Sequence, residues 1–418
     1  MKFTRSIALV LLFASSLSSY AKSSAPETEQ DFQAWLVTFK QQARQSGISE
    51  NTLKIAFKDV HLNQKVLESD RQQPEFTRTF FEYFNRAVSQ NRITSGKQSH
   101  KKHQTLLNEV SEKYGIPAPV LTAFWGMETN YGRYTGNISI IESLATLSYD
   151  PRRSQFFSKQ LINALKIIDA GHVKPVQMKG SWAGAMGQVQ FMPSNYLKYA
   201  IDGDGDGKIN LWDSLPDAFH SAGNFLQQLG WQRGQTWGYE VTLPKNFNYG
   251  LADGKTKRTL ASWQALGIKQ SNGQALPLSV ASSETPQQAK LLLPSDYRGP
   301  AFLVYDNFQV IKRWNNSNNY ALGVGHLADR ILGKPALTKK QPKDDKGLSR
   351  DQMKQIQTRL NELGYSAGKP DGIAGSKTRS ALRAFQASIN YPADGAPSYR
   401  MLKQLNTKTV ADNILSND

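Results

Sequence analysis

The chain of 418 residues contains no cysteine, so no disulfide can staple it and no lipid-modified cysteine can anchor it. Its six histidines form no ligand-spaced cluster, which argues against a histidine-based metal hydrolase. Acidic residues are in short supply: 34 Asp and Glu face 51 Lys and Arg, for a formal net charge of +17. Such an excess favours a polyanionic partner. No recognisable nucleic-acid reading motif accompanies the charge, so a nucleic-acid partner is not expected. Long apolar runs are also missing. The longest, Ile7 to Ala14, is eight residues and cannot span a bilayer core of about 30 Å.

That short run has a different meaning. Lys2 and Arg5 precede it and Ser19-Tyr20-Ala21 follows, the charged, apolar, small-residue order of a secretory leader. Residues 1–21 are therefore expected to be a cleaved signal peptide, placing the mature protein in the periplasm as a soluble species, expected to be monomeric. In that compartment the carboxylate-bearing cell wall is the natural polyanion.

Four regions follow the leader. Residues 22–336 read as one large, mainly helical region. Phe32, Trp35, Leu36, Phe39 and Ala43 have helical spacing, further helical segments run to about residue 116, and the polar stretch Ser95–His103 reads as a solvated loop. Pro117 and Pro119 suit the first turn of another helix. Between Tyr239 and Gln309, β-prone pieces (Tyr239–Leu243, Lys290–Leu293, Ala301–Tyr305) alternate with Gly, Asn and Pro, as in a small mixed insertion. Helical spacing returns from Tyr320 to Leu332. Residues 337–347, charged and free of large aromatics, read as a linker. Residues 348–406 carry three helical patterns, with Met353, Ile356, Leu360 and Leu363, then Ala381, Leu382 and Phe385, then Met401, Leu402 and Leu405. Residues 407–418 are a tail.

Three segments carry chemistry. In Phe124-Trp-Gly-Met-Glu-Thr-Asn-Tyr-Gly-Arg133, Glu128 falls inside the apolar stripe made by Val120, Leu121, Phe124 and Met127. A carboxyl group there loses hydration and its pKa rises, which is what a general acid at neutral pH requires. Spacing by itself favours a structural glutamate satisfied by backbone or Arg partners. The second segment, Lys179–Pro193, is dense in small residues and amides. Its Gly and Ala positions permit close backbone approach, while Ser181, Gln188 and Gln190 offer neutral donors and acceptors suited to sugar hydroxyls and acetamides. The third, Asp202–Asp213, follows an EF-hand loop: Asp202, Asp204 and Asp206 at positions 1, 3 and 5, Gly207 at 6, the Lys208 carbonyl at 7, Asn210 at 9 and Asp213 at 12. Asp at position 12 reaches less far than the usual Glu, and Asp217 is the alternative. The loop predicts a structural Ca²⁺ and no regulatory switch, since a paired second loop is missing. No organic cofactor is expected.

These segments, together with Leu144–Ser148 and Pro151-Arg-Arg153, occur in the order found in the lytic murein transglycosylase B family, which the region 30–335 resembles. Residues 357–386, with Leu363-Gly-Tyr365, Asp371-Gly-Ile373, Lys377-Thr-Arg379 and Phe385-Gln386, resemble the common three-helix peptidoglycan-binding module. The resemblance implies a lysozyme-like helical catalytic body, a small β-containing subdomain and one catalytic carboxylate, matched by Glu128. It further implies that Arg152, Arg153, Ser181, Gln190 and Phe191 line a saccharide groove, with Asn224, Phe225, Asn315 and Tyr320 as weaker matches. Phe156 and Phe225 stand where relatives often have Tyr, which puts any hydroxyl contact there in doubt and leaves stacking open. Relatives are often lipoproteins, from which this cysteine-free chain departs.

The implied reaction is lytic cleavage of the β-1,4 bond between N-acetylmuramic acid and N-acetylglucosamine in peptidoglycan. Glu128 acts as acid and then base, and the sugar closes on itself to a 1,6-anhydro end. Glu142 and Asp150 are the possible second carboxylates, and each reads as structural. The sequence leaves two rivals open: a lysozyme-like peptidoglycan hydrolase and a non-catalytic wall-binding scaffold.

Overall fold

The computed structural model describes residues 28–71, 78–278 and 287–408. The leader and the tail beyond residue 408 lie outside them. Among the described residues no helix is long and apolar enough to cross a membrane.

The body is helical, as the spacing predicts. The first helix, Glu29–Gln45, buries Phe32, Leu36, Phe39 and Ala43, and Thr28 caps it by accepting from Asp31 N. Short helices follow at Glu50–Ala56, Gln64–Arg71 and Phe80–Ala87. The stretch expected to be a solvated loop is a helix instead, Gln90–Lys102, capped by Ser89. It carries few apolar residues, burying Ile93 and Gly96. A Cβ at 96 would come within 3 Å of the Tyr131 hydroxyl and the Ile331 side chain, so close tertiary packing, not an apolar stripe, holds this helix in place.

The central helix Ala118–Thr129 starts at Pro117 and is buried almost all round, with Leu121, Ala123, Phe124 and Trp125 in the main core. It ends because Asn130 and Tyr131 both adopt left-handed backbone, with φ of 50° and 62°. The turn brings the Tyr131 ring back onto Gly126, where a Cβ would lie 2.5 Å from it. Packed around this helix are Gln104–Tyr114, Leu215–Gln228 and Asn318–Ile331.

Among the described residues seven strands form two sheets. β1 (Ile138–Ser139) and β2 (Lys179–Gly180) make a small antiparallel pair. The insertion forms a five-stranded antiparallel sheet from β3 (Gly238–Thr242), β4 (Asp253–Thr259), β5 (Lys269–Gln270), β6 (Gln288–Leu292) and β7 (Ala301–Val304), in the order β4-β6-β7-β3-β5. Every residue of β7 is buried. Phe302 and Val304 face the main core while Ala301 and Leu303 face the insertion's own core around Trp263. The two-residue period of a strand thus stitches the insertion to the body.

The C-terminal module has its own core of Ile356, Leu360, Leu382, Phe385, Leu402 and Leu405 on helices Arg350–Glu362, Ser376–Ser388 and Tyr399–Thr407. Ser349 and Gln352 form a capping box at its start.

Candidate active site and calcium loop

Glu128 occupies the last turn of the Ala118–Thr129 helix, half-buried, with its carboxyl set deep among neighbouring side chains. The Tyr320 hydroxyl, on the Asn318–Ile331 helix 192 positions away, donates to Oε1. The indole of Trp314 donates as well. Loss of hydration pushes the Glu128 carboxyl up to about 7, and the two donors pull it back part of the way. Both donors are neutral. The carboxyl therefore keeps a proton near neutral pH, which an Arg or Lys partner would prevent. Burial and the nearby Glu128 charge hold the Tyr320 phenol far above its usual range, so it remains a donor.

Trp314 is a site residue that the sequence reading missed. Its ring packs on Phe124 at 4.6 Å, Phe225 at 5.1 Å and Phe191 at 5.4 Å between centroids. Only its position beside Asn315, at the end of an amphipathic helix, could have drawn attention to it. Phe191 is 1% and Phe225 5% exposed. Their rings back Trp314 and leave little open face for a sugar to stack on. Phe156, by contrast, is exposed.

The Gly-rich run folds into a tight double turn. Met186 bridges both Gly180 and Phe191, and Ser181 accepts from Ala185 N through its hydroxyl at 3.0 Å. Gly136, at φ 92°, abuts Gly180 so closely that a Cβ would sit 2.1 Å from its carbonyl. Gln190, at φ 50°, spends its amide donors on the carbonyls of Thr135 and Gly187, both at 3.0 Å. Gln188 accepts from the Trp125 indole at 2.8 Å and donates to Trp212 O at 2.9 Å, pinning this run between the central helix and the Asp-rich loop. Asn224 donates to Tyr199 O at 2.8 Å, and Asn315 is exposed beside Trp314.

Arg152 and Arg153 converge on the buried carboxylate of Asp70, one on each oxygen. Arg153 also lies over the Phe157 ring at 4.9 Å. Both guanidinium groups keep an open side, with side-chain exposures of 49% and 40%. The possible second carboxylates are engaged. Glu142 accepts from Asn63 Nδ2 at 2.6 Å, while Asp150 accepts from Arg152 N at 2.8 Å and pairs with Arg71.

In the Asp-rich loop, oxygens of Asp202, Asp204 and Asp217 lie within 4.8 Å of one another. Among the described residues no Lys or Arg pairs with any of the three. Converging carboxylates without a cationic side chain fit a hard divalent cation. Asp217 is buried and accepts from Gly203 N at 2.7 Å and Asn210 N at 2.6 Å. Burial, and then the charge of Asp204, raise its pKa. Asp206 is exposed and accepts from Lys208 N, and Asp213 is exposed and takes the Asn210 amide at 3.3 Å. Neither belongs to the converging group.

In the module, Gln357 donates to Asp371 Oδ1, Ile373 O and Thr378 Oγ1 and accepts from Gly372 N. The Asp-Gly-Ile turn is thereby fixed from below, leaving Ile373 46% exposed.

Comparison with known proteins identifies the family of each region. The family described as "Transglycosylase SLT domain" matches residues 31–329, and a peptidoglycan binding domain matches residues 349–405. The chain is 34% identical over 253 residues to membrane-bound lytic murein transglycosylase B of Escherichia coli K12, a match covering 60% of this chain and 66% of that protein, just under two thirds of its length. Among solved structures, SltB3 from Pseudomonas aeruginosa in complex with NAG-anhNAM-pentapeptide is 44% identical, covering 90% of this chain and 99% of that one, with a TM-score of 0.86. The Escherichia coli lytic transglycosylase Slt35 in complex with calcium is 30% identical, covering 73% of this chain and 92% of that one, with a TM-score of 0.60. The chain thus belongs to the SLT-domain family of lytic transglycosylases and carries a peptidoglycan-binding domain after the family's helical body.

Proposed function

We propose that this protein cleaves the β-1,4 bond between N-acetylmuramic acid and N-acetylglucosamine in peptidoglycan, with Glu128 as acid and then base. The observation that carries the proposal is the Glu128 carboxyl, raised to about 7 by burial and held by two neutral donors. Protonated, it donates to the leaving O4 oxygen. The muramic acid's own acetamido oxygen relieves the developing charge at C1. Glu128, now a carboxylate stabilised by Tyr320 and Trp314, takes the proton of the C6 hydroxyl, which closes on C1. Proton, leaving group and new bond balance without water. Because the nucleophile is intramolecular, no second carboxylate is required.

A hydrolase working by a carboxylate pair would need one. Glu142 and Asp150 are poor candidates, since Asn63, Arg71 and the Arg152 amide already occupy them. The anhydro product bound to the Pseudomonas relative is consistent with the same outcome here. Arg152 and Arg153, steadied by Asp70, have open guanidinium faces suited to substrate carboxylates, and Ser181, Gln190, Asn224 and Asn315 are assigned to the groove. A Ca²⁺ ion held by Asp202, Asp204 and Asp217 would brace the loop beneath Gln188, and its contribution is structural. Export to the periplasm through residues 1–21 completes the assignment.

Mass spectrometry of soluble fragments from purified sacculi tests it. Anhydro ends that disappear in Glu128→Gln are expected. Reducing muramic ends would establish the hydrolase, and unchanged turnover in the variant would establish the scaffold.

A further inference from the structure

Residues 337–347 have the composition of a free tether, yet their backbone is tied down at several points. Leu337 packs on the body core. The buried carboxylate of Glu240, on β3, accepts from Thr338 N at 2.8 Å and Lys339 N at 3.1 Å. Further along, Asp344 bridges Arg298 of the insertion at 2.6 Å and Arg400 of the module at 2.9 Å. Asp296 orients Arg298 from its other side.

The module itself is seated on the insertion. Asp394, 5% exposed, accepts from Gln386 and Ala396 inside the module and from Tyr297 N across the junction at 2.7 Å. The Tyr297 ring stands edge-on to Tyr391 of the module at 5.7 Å and to Tyr249 of the insertion at 5.9 Å. Exposed pairs such as those of Asp344 contribute little. A buried charged acceptor and packed aromatics contribute more, and they carry the seating. Three separate attachments leave no free rotation. A flexible tether of this length would let its ends wander over roughly 18 Å. The likeness to SltB3 covers 90% of the chain at a TM-score of 0.86, against 73% for Slt35.

We infer that the peptidoglycan-binding module is a fixed jaw of the catalytic body, so that a strand it grips reaches Glu128 in one register and the fold sets the length released. The inference rests on the lytic reading given above. The chain's freedom from cysteine makes the test direct. Full-length protein carrying Lys166→Cys and Ser380→Cys is spin-labelled and the distance distribution measured. The same is done in a released variant with Arg298→Ala, Tyr391→Ala and Arg400→Ala, in which a long Gly/Ser segment replaces residues 340–346.

A single narrow distance is expected without the release changes and a broad one with them. Fragment sizes from sacculi should broaden in parallel, while turnover of a short soluble glycan stays unchanged. A broad distance before release overturns the fixed jaw. A broad distance after release with unchanged fragment sizes overturns the register. Failure of the unreleased protein to cleave the short glycan overturns the lytic reading instead.

Discussion

Glu128 and Asp217 are both carboxylates taken out of water, and their surroundings solve the resulting problem in opposite ways. Around Glu128 the neighbours are apolar or neutral donors, so the group relieves its desolvation by keeping a proton. In the loop, three carboxylates converge with backbone N–H groups aimed at them, an arrangement whose repulsion a shared cation would relieve. One environment suits a proton carrier and the other would suit a metal brace. What separates them is the number of negative groups brought together, since burial raises the pKa of Glu128 and Asp217 alike while only Asp217 has further carboxylates, of Asp202 and Asp204, beside it.

The largest expected effect comes from Glu128→Gln, which keeps the shape and removes the titratable proton. Turnover of sacculi should fall by about 10²–10⁴-fold with binding retained, the range for general acid–base groups. Next is the cation. Calcium at about a hundred times its Kd should stabilise the protein by about 2.7 kcal/mol, read as a rise in Tm, and Asp217→Asn should abolish the rise. If Asp213→Asn abolishes the rise and Asp217→Asn does not, the cluster is wrongly assigned.

The pH dependence sharpens the contrast further. Because the folded Glu128 pKa lies above its unfolded value of 4.5, the protonated acid persists to about pH 7. Its contribution to stability is complete below the unfolded value and lost as pH rises through about 7. Cleavage should likewise fall about tenfold per pH unit above that point, as the acid form is depleted. Tyr320→Phe removes a donor that favours the charged form, so this alkaline limb should move to higher pH even as turnover drops. A limb that stays in place would show that the phenol does not act on the carboxyl. The smallest effect is expected for Asp70→Asn, which loosens the two half-exposed arginines. KM should rise about two- to tenfold with little change in kcat, the signature of lost uniform binding.

How much of this was legible can be judged element by element. The stripe of Val120, Leu121, Phe124 and Met127 announced the central helix, and Glu128 within it announced a desolvated carboxyl. Short β-prone pieces bounded by Gly, Asn and Pro announced β3, β6 and β7, whereas the polar β4 and the two-residue β5 carried no such signal. Gln90–Lys102 was misread because its helix is held by tight approaches at Gly96, which leave no apolar period behind. Asp213 and Asp217 could not be separated by spacing, since the path of the chain between them depends on the start of the Leu215–Gln228 helix. Residues 337–347 read as a tether because nothing local reveals that Glu240 and Arg298 wait in space.

The sequence by itself determined that one acidic group would sit on an apolar face, that a calcium-type loop would follow, and that a separate small core would close the chain. Those are local properties of spacing and composition. Only the tertiary structure decided that Tyr320 and Trp314 meet Glu128 and that Asp217 completes the acidic cluster. It also decided that the module is seated on the insertion. Each of these joins residues that local patterning does not relate, and such contacts follow from packing among elements, which no local period encodes.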